Sequence, residues 1–191
     1  MNASDIENAL RDIGDKKSFK IHVIGDIRLL PKPSEITSPN NFECFIINYH
    51  ENRRNMGHWL SVCKNNQELW FFDSLGFGPK FYSDDIYNYI KKHQGIKHYK
   101  NNRQLQSFSS IVCGGYQVLF IYFLHQTRNF FTTIQKLEKM FPYKENHILN
   151  DEILLEYLYK HFKNIGPCKQ LFCNYYSITK ELCERLCVHK N

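Results

Sequence analysis

Short apolar runs separated by polar turns dominate the first half of the chain. Three of them, rich in β-branched and aromatic residues, follow one another closely: FECFIINYH, HWLSVCKN and QELWFFDS. Runs of this length and composition, bounded by turn residues, are typical of β-strands. The pattern predicts three consecutive strands at about 42–49, 58–64 and 67–73.

Apolar residues at helical spacing mark the segments on either side of these strands. A first helix is predicted in SDIENALRDIG, where Ser4 can cap the helix and Glu7 occupies the capping-box position, and a second in SDDIYNYIKKH, again behind a serine. The run from Tyr116 to Leu124 is apolar on nearly every face, which predicts a helix in the middle of the core. Three more helices are predicted at about 129–140, 150–163 and 177–188.

Strands flanked by helices on both sides along the chain indicate an α+β fold. The sequence contains no internal repeat, low-complexity tract or interdomain linker, and we expect one domain over residues 1–191. The segment RLLPKPSEITSPNN at 28–41 carries three prolines and is predicted to be an extended surface loop.

The amino-acid composition is typical of a folded, soluble protein. The chain has 191 residues, of which 42% are hydrophobic and 15% aromatic, enough for a packed core. Its apolar runs are too short and too often interrupted to span a bilayer, and the charged N-terminal stretch lacks the apolar core of a signal peptide. We therefore expect a soluble intracellular protein without a membrane segment.

The formal charge of +6 is concentrated in KKHQGIKHYKNNR at 91–103, a segment without acidic residues. Such a segment can attract nucleic acid or an acidic protein partner. An ordinary solvated loop is the simpler interpretation and the favoured one. The basic residues concerned are Lys91, Lys92, Lys97, Lys100 and Arg103.

Cys113 lies at the predicted start of the central helix and precedes two glycines. A cysteine reacts as its thiolate, and a free thiol has a pKa of about 8.5, so a nucleophilic cysteine needs a neighbour that lowers this pKa. Unpaired N–H groups at a helix N-terminus favour a negative charge, and Gly114 would let a substrate backbone approach. Taken alone, a cysteine before two glycines is more often structural than catalytic.

A second group of residues upstream changes this assessment. His58 begins one predicted strand and Asp73 ends the next. If the two strands pair antiparallel, the start of the first lies beside the end of the second. A carboxylate beside an imidazole can fix its tautomer and stabilise its charged form, so the pair could serve as a catalytic base.

Gln106 precedes Cys113 by seven residues, in a polar loop that leads into the central helix. A side-chain amide folded back beside the thiol could donate to an oxyanion, together with the backbone N–H of Cys113. Gln104 is a less well placed competitor for this role.

With GHW, FDSLGFGP, the glutamine seven residues before the cysteine, and CGGYQVLFIYFL, the sequence resembles the adenovirus-type (adenain-like) maturation cysteine proteases. It is also similar to their relatives encoded by virophages and Polinton-type elements, and more distantly to SUMO-deconjugating proteases. The resemblance covers roughly residues 40–126. Asp73, where adenovirus enzymes usually have Glu, favours the Polinton and SUMO-protease branch.

The resemblance implies a papain-like, adenain-like fold in which a central mixed sheet carries His58 and Asp73 and a core helix carries Cys113. It implies Cys113 as nucleophile, His58 as its base, Asp73 as the group that orients His58, and Gln106 in the oxyanion hole. Trp59 and Gly114 would line the substrate cleft with the turn at Gly76 to Gly78, although a plain core tryptophan explains Trp59 equally well.

The function implied is that of an endopeptidase that cleaves capsid or core precursors during virion maturation, after small residues in Gly-Gly or Gly-x contexts. We would then expect a monomer in the virion and the infected host cell, requiring no cofactor, with DNA or a peptide as open candidates for an activator. The peptide disulfide of the adenovirus enzymes cannot form in the same way, because no cysteine lies between Cys63 and Cys113.

Three other functions stay open at this point. The main alternative is an isopeptidase of the same fold that removes a SUMO-type modifier. A more distant one is an acetyltransferase with the same residues, although the sequence shows no phosphate-binding glycine loop. A non-enzymatic virion or DNA-binding protein is the third, but a pure DNA binder would be expected to carry more charge than +6.

The seven cysteines are expected to be reduced thiols, since no secretory signal accompanies them. Four of them lie near the C-terminus, followed by a histidine, so a zinc site is conceivable there. The spacing lacks tight C-x₂-C pairs, and buried free cysteines are the favoured interpretation, with no metal site predicted. The residues are Cys168, Cys173, Cys183, Cys187 and His189.

Overall fold

The computed structural model describes residues 1–11, 13, 18–30, 40–50 and 57–162. Within them a five-stranded mixed sheet has its strands in sequence order across the sheet. The strands are β1 (Phe19–Ile24), β2 (Phe42–Tyr49), β3 (His58–Lys64), β4 (Glu68–Phe72) and β5 (Lys97–Lys100). The outer pairs β1–β2 and β4–β5 are parallel, and the inner pairs β2–β3 and β3–β4 are antiparallel.

In the described residues six helices accompany the sheet: α1 (Ala3–Leu10), α2 (Pro79–Tyr82), α3 (Asp84–Lys91), α4 (Cys113–Thr127), α5 (Phe130–Met140) and α6 (His147–His161). A short 3-10 turn covers Ile27–Leu29. Within the described part of the chain, no helix combines the length and the apolar character that crossing a bilayer requires.

The three predicted strands are confirmed, and so are the helices that fall within the described residues. The N-terminal cap differs from the prediction: Asn2, and not Ser4, caps α1, and its side chain accepts from the Asp5 N–H at 2.9 Å while Asp5 accepts from the Asn2 N–H at 2.9 Å. A capping box requires only an acceptor at the cap and a carboxylate three residues later, and Asn2 with Asp5 meets that requirement earlier in the chain. The predicted helix at 177–188 and most of the proline-rich loop lie outside the described residues.

The interpretation of the basic segment as a solvated loop is wrong in part. Residues Lys97–Lys100 form β5, which pairs in parallel with β4. The pairing satisfies backbone groups at the edge of the sheet, while the side chains of Lys97 and Lys100 remain exposed. The sequence does not predict this strand because its charged side chains replace the apolar residues that are typical of a strand.

Apolar residues cover both faces of the sheet. On one face α4 packs across the strands, buried on nearly every side as its sequence predicts, and α1, α5 and α6 surround it. Stacked aromatic rings join this face to the sheet, with Phe72 and Phe120 at a centroid distance of 4.3 Å. The opposite face is covered by α2 and α3, which bury Tyr82 and Ile86 against the strands. The first residue of α4 therefore lies beside the strand that starts at His58.

Two glycines with positive φ offer a direct test of this packing. Gly76 (φ 78°) lies in the turn after β4, where an added Cβ would be 2.8 Å from the backbone carbon of Arg103 and 2.9 Å from the backbone nitrogen of Gln104. Gly95 (φ 81°) has no heavy atom within 4 Å of the same position. We expect Gly95→Ala to lose about 1–2 kcal/mol of unfolding free energy through backbone strain alone.

Gly76→Ala should lose roughly 1–3 kcal/mol more than Gly95→Ala, because its Cβ would collide with backbone that cannot rotate away. Urea unfolding of the two variants measures this difference. Equal losses would show that the contact between the turn and residues 103–104 contributes nothing.

Candidate functional site

His58 and Asp73 are neighbours, as the predicted strand pairing requires. In the antiparallel register Ser61 faces Phe72, which brings the start of β3 beside the residue that follows β4. The distance between His58 Nε2 and Asp73 Oδ1 is 2.7 Å. Asp73 is fully buried, and the His58 side chain is 16% exposed. The imidazole therefore keeps one ring edge available for other groups, while its Nε2–H donates to the carboxylate.

The Asp73 carboxylate accepts three further hydrogen bonds. Oδ1 accepts from the Leu75 N–H at 2.9 Å, and Oδ2 accepts from the Phe77 N–H at 2.8 Å and from the Tyr82 hydroxyl at 2.7 Å. Burying a charged group is costly unless its lone pairs are satisfied, and here four donors satisfy them. The turn after β4 is thus folded around the carboxylate.

Asn101 fixes the backbone of Asp73 from the neighbouring loop. Its Oδ1 accepts from the Asp73 N–H at 2.9 Å, and its Nδ2 donates to the Asp73 carbonyl at 2.6 Å. Both residues are buried. This pair of bonds holds the position of the carboxylate even though Asp73 lies just beyond the end of β4.

Tyr82 contacts both members of the His58–Asp73 pair. Its ring stacks on the imidazole with a centroid distance of 5.5 Å and an interplanar angle of 14°. Burial, followed by the adjacent charge of Asp73 and the hydrogen bond to it, holds the pKa of the Tyr82 hydroxyl well above its usual range. Tyr82 therefore stays protonated and acts as a permanent donor to the carboxylate.

Cys113 is the first residue of α4 and is 5% exposed. Its thiol interacts with the His58 ring through a hydrogen bond and through charge. Burial acts to raise the pKa of the thiol, but the hydrogen bond and the positive charge of His58 outweigh it, aided by the backbone of Trp59, so the pKa is lowered. Because Asp73 occupies Nε2 of His58, the ring nitrogen left for the thiol is Nδ1.

The same contacts shift the pKa of His58 in the opposite direction. Burial acts to lower the pKa of the imidazole, but the hydrogen bonds with Asp73 and Cys113, together with their negative charges, raise the pKa to about 9. A lowered thiol pKa and a raised imidazole pKa favour a thiolate–imidazolium pair at neutral pH.

Cys63 shows what burial does without such a partner. It is fully buried opposite Cys44 on the neighbouring strand, and burial followed by its interaction with Cys44 raises the pKa of the Cys63 thiol well above its usual range. Cys44, Cys63 and Cys113 are free thiols, as predicted; the four C-terminal cysteines and His189 lie outside the described residues. Within the described residues no group of three or more His, Cys, Asp or Glu side chains is placed to hold a metal ion.

Gln106 is buried in the loop before α4, between two serines. Its Oε1 accepts from the Ser74 hydroxyl at 2.6 Å, and its Nε2 donates to the Ser110 carbonyl at 2.9 Å and to the Ser110 hydroxyl at 3.2 Å. The competitor Gln104 donates instead to the backbone carbonyl of Gln106 at 2.8 Å. The amide of Gln106 is thus held at Ser110, three residues before Cys113 in the chain, and Gln104 supports its backbone.

Trp59 and Gly114 face each other across the first turn of α4. A Cβ on Gly114 would lie 3.3 Å from the Trp59 ring and 3.0 Å from the side chain of Met1. The Trp59 indole N–H donates to the Met1 carbonyl at 3.1 Å, and Trp59 is 4% exposed. Met1 therefore lies against Trp59, which is predicted to line the substrate cleft, and the absence of a side chain at Gly114 leaves room for Met1.

Gln117 is a positioning residue that the sequence reasoning missed. It is fully buried one turn after Cys113, where its Oε1 accepts from the Ser61 hydroxyl at 2.7 Å and its Nε2 donates to the Trp59 carbonyl at 2.9 Å. These bonds tie α4 to β3 next to His58. A glutamine inside an otherwise apolar run was the available signal.

Tyr82, Asn101 and Ser74 were missed as well. Asn101 and Ser74 bond partners that are 28 or more residues away in the chain. Tyr82 bonds a partner that is nine residues away. No local pattern distinguishes a tyrosine that bonds a buried carboxylate, or an asparagine that bonds the backbone next to it, from the same residues in an ordinary turn. Contacts of this kind are decided by the tertiary structure.

Four of the five basic residues of the predicted patch line surface cavities. Lys91 and Lys92, at the end of α3, line one surface cavity of about 520 Å³, and Lys100 and Arg103 line another of about 600 Å³. The Arg103 guanidinium donates to the carbonyls of Glu138 and Phe141, so it holds the loop to α5. A nucleic-acid or acidic-partner patch formed by Lys91, Lys92, Lys97, Lys100 and Arg103 stays a prediction.

Comparison with known proteins identifies the fold. No protein-family model matches the sequence, and no curated protein matches it. Among solved structures, the crystal structure of the ASFV pS273R protease is similar at a TM-score of 0.50 and 16% identity, covering 70% of this chain. The chain spans 61% of the length of that protease.

Two further solved structures superpose more loosely. A de-sumoylating protease matches at a TM-score of 0.42 and 16% identity, over 96% of this chain and 75% of the other. ChlaDub1 from Chlamydia trachomatis matches at a TM-score of 0.44 and 12% identity, over 98% of this chain and 78% of the other. The similarity to the ASFV protease confirms the predicted α+β fold with a central mixed sheet and a core helix, whereas the predicted virophage or Polinton branch stays a prediction.

Tyr82→Phe tests how much the hydroxyl contributes to the buried carboxylate. The variant keeps the ring that stacks on His58 and removes only the donor at 2.7 Å from Asp73. A hydrogen bond to a charged group contributes about 1.5–3 kcal/mol, so we expect the free energy of unfolding to fall by about this amount.

Tyr143→Phe is the matched control, because Tyr143 is 42% exposed and should change stability by less than about 0.5 kcal/mol. Urea unfolding of both variants gives the comparison. If the two variants lost the same small amount, the Asp73 carboxylate would not depend on Tyr82.

Proposed function

We propose that this protein is a cysteine endopeptidase, with Cys113 as the nucleophile and His58 as its acid–base partner. The observation that supports this most directly is the convergence of Cys113, His58 and Asp73, with the thiol pKa lowered and the imidazole pKa raised to about 9. A thiol with a lowered pKa in contact with an imidazole whose pKa is raised favours a nucleophilic site over a structural one.

The proposed reaction begins with attack of the Cys113 thiolate on a peptide carbonyl carbon. The C–N bond breaks as His58 gives its proton to the departing amine, which leaves a thioester on Cys113. His58 then takes a proton from water, and the hydroxide adds to the thioester carbonyl and displaces the Cys113 thiolate, which restores the ion pair with His58. The acid product leaves and loses its proton to solvent. Asp73 does not exchange protons in this scheme; it orients His58 and stabilises its charge.

The backbone N–H of Cys113 and the Gln106 amide are the proposed donors to the oxyanion. The amide is bound to Ser110 in the free protein. To serve the oxyanion, it would need to share or exchange that bond once a carbonyl oxygen develops negative charge. Ser74, which donates to the other end of the amide, would keep its nitrogen pointed towards the Cys113 side of the loop.

For the biological role we propose cleavage of viral capsid or core precursors at Gly-containing sites during virion maturation, as the family resemblance implies. The protein would act on protein substrates as a monomer, without a cofactor, in the virion and the infected cell. Activation by DNA or a peptide belongs to the same proposal. An isopeptidase acting on a SUMO-type modifier is the other outcome of the tests below.

Covalent labelling tests the nucleophile. A Gly-Gly peptide carrying a thiol-reactive electrophile should label Cys113, and mass spectrometry should find Cys44 and Cys63 unlabelled, because both are fully buried. His58→Ala should label slowly at neutral pH. Replacing the oxyanion donor in Gln106→Ala should lower kcat for a cleaved peptide by about 10²–10³.

Offering the protein a Gly-Gly peptide and a SUMO-type conjugate in parallel separates an endopeptidase from an isopeptidase. Cleavage that survives in Cys113→Ala would contradict the proposal in either form. So would labelling of all thiols at the same rate.

The pH profile of kcat/KM tests the ion pair. A group with a raised pKa keeps its proton further into the alkaline range, so the His58 imidazolium should persist until about pH 9. Activity should rise as the Cys113 thiolate forms and fall as His58 loses its proton near pH 9, which gives a bell-shaped profile.

Asp73→Asn removes one of the interactions that raise the His58 pKa, so the alkaline limb should move to lower pH. A stopped-flow or fluorogenic assay across pH 5–10, a range of about five pH units around the reference pKa values, measures both limbs. An alkaline limb that stays in place in Asp73→Asn would show that Asp73 does not set the charge of His58.

A further inference from the structure

Three phenylalanines form a cluster beside the site, which we call the aromatic platform: the half-buried Phe77 and the exposed Phe81 and Phe108. Phe77 stacks on Phe81 with a centroid distance of 4.0 Å and an interplanar angle of 15°. Phe108 lies 5.9 Å from Phe77, tilted by 33°. Phe81 is 65% exposed and Phe108 66% exposed. The cluster therefore presents large apolar surface to water, which is uncommon unless the surface binds something.

The platform is continuous with the site through Tyr82. The Phe81 ring meets the Tyr82 ring edge-on at 5.2 Å, and Tyr82 in turn stacks on His58 at 5.5 Å. Phe77 donates its backbone N–H to Asp73. A side chain bound on the platform would thus lie one ring away from the imidazole.

The two segments that carry the platform are fixed to each other. Phe77 and Phe81 follow Asp73, and Phe108 lies in the loop that leads to Cys113. The backbone N–H groups of Leu105 and Gln106 donate to the Ser74 carbonyl, at 2.8 and 3.1 Å. The two backbone segments are thereby held together before any partner arrives, which lowers the entropy cost of binding.

Positive charge borders the platform. Lys80 precedes Phe81 on α2 and is exposed, and the Lys100 side chain passes 3.7 Å from the Cβ position of Gly78. An acidic residue next to an apolar one in the bound chain would find a complementary charge there.

We propose that the aromatic platform binds a substrate segment in which an aromatic or aliphatic side chain is followed or preceded by an acidic residue, within a few residues of the scissile bond. This inference rests on the proposed function, because the segment belongs to the polypeptide that Cys113 attacks. It adds a specificity determinant outside the Cys113–His58–Asp73 group.

A peptide scan tests the proposal. A Phe-Asp pair is moved one residue at a time along both sides of a Gly-Gly sequence in fluorogenic peptides, and Ser-Asn replaces it in the matched set. At one position the Phe-Asp peptide should have a KM about tenfold lower than its Ser-Asn counterpart, because filling an apolar site contributes that much.

Phe81→Ser and Phe108→Ser should each remove most of this preference by raising KM at unchanged kcat, as expected for loss of binding that is equal in ground and transition state. Phe131→Ser is the matched control: Phe131 is also an exposed phenylalanine (52%) but lies on α5. It should leave the preference intact. If Phe81→Ser, Phe108→Ser and Phe131→Ser behave alike, the platform does not bind substrate.

Fluorescence anisotropy with Cys113→Ala separates this inference from the proposed function. Selective binding of the best Phe-Asp peptide to Cys113→Ala, lost in the added Phe81→Ser change, would support the platform even if the wild-type chain cleaved no peptide. Cleavage of all peptides with one KM, with equal anisotropy for both sets, would overturn the platform and leave the proposed protease standing.

Discussion

The buried carboxylate of Asp73 is the group on which the rest of the site depends. A charge with no exposure is tolerated only where donors surround it, and here His58, Tyr82 and two backbone N–H groups do so. To supply these donors, the chain after β4 must turn back on itself and place α2 under the imidazole. The same turn carries Phe77 and Phe81 to the surface, so one buried charge organises both the proposed chemistry and the proposed substrate contact.

The contrast between two buried cysteines shows that the neighbouring groups, and not burial alone, set the direction in which the pKa of a thiol is shifted. Burial acts to raise the pKa of both Cys63 and Cys113. Cys63 has only another thiol beside it, whereas Cys113 has an imidazole whose charge Asp73 supports. In a medium of low polarity such a charge acts strongly over a short distance. The placement of α4 against β3, which Gln117 secures, therefore decides the chemistry.

Much of the fold and part of the site could be predicted from the sequence. The three central strands have clear apolar runs, and the central helix is apolar on every side because it is surrounded by protein. Strand β5 was missed since its exposed lysines hide the pattern, and its existence depends on a free edge of β4 to pair with. His58 and Asp73 could be paired in advance because an antiparallel hairpin brings its two ends together whatever else the chain does.

The sequence alone predicts the α+β class, the order of the central elements, and Cys113, His58, Asp73 and Gln106 as candidate site residues. The fold class follows from local apolar periodicity and the His58–Asp73 pair from contacts that a hairpin enforces, whereas Cys113 and Gln106 follow from their place before the central helix and from the family resemblance. The tertiary structure is needed to show that Tyr82 bonds the carboxylate, that Asn101 bonds the backbone of Asp73, and that Gln117 fixes α4 beside Trp59. The physical reason is that these contacts join segments with no local signal for one another, so their partners become defined only when the helices pack on the sheet.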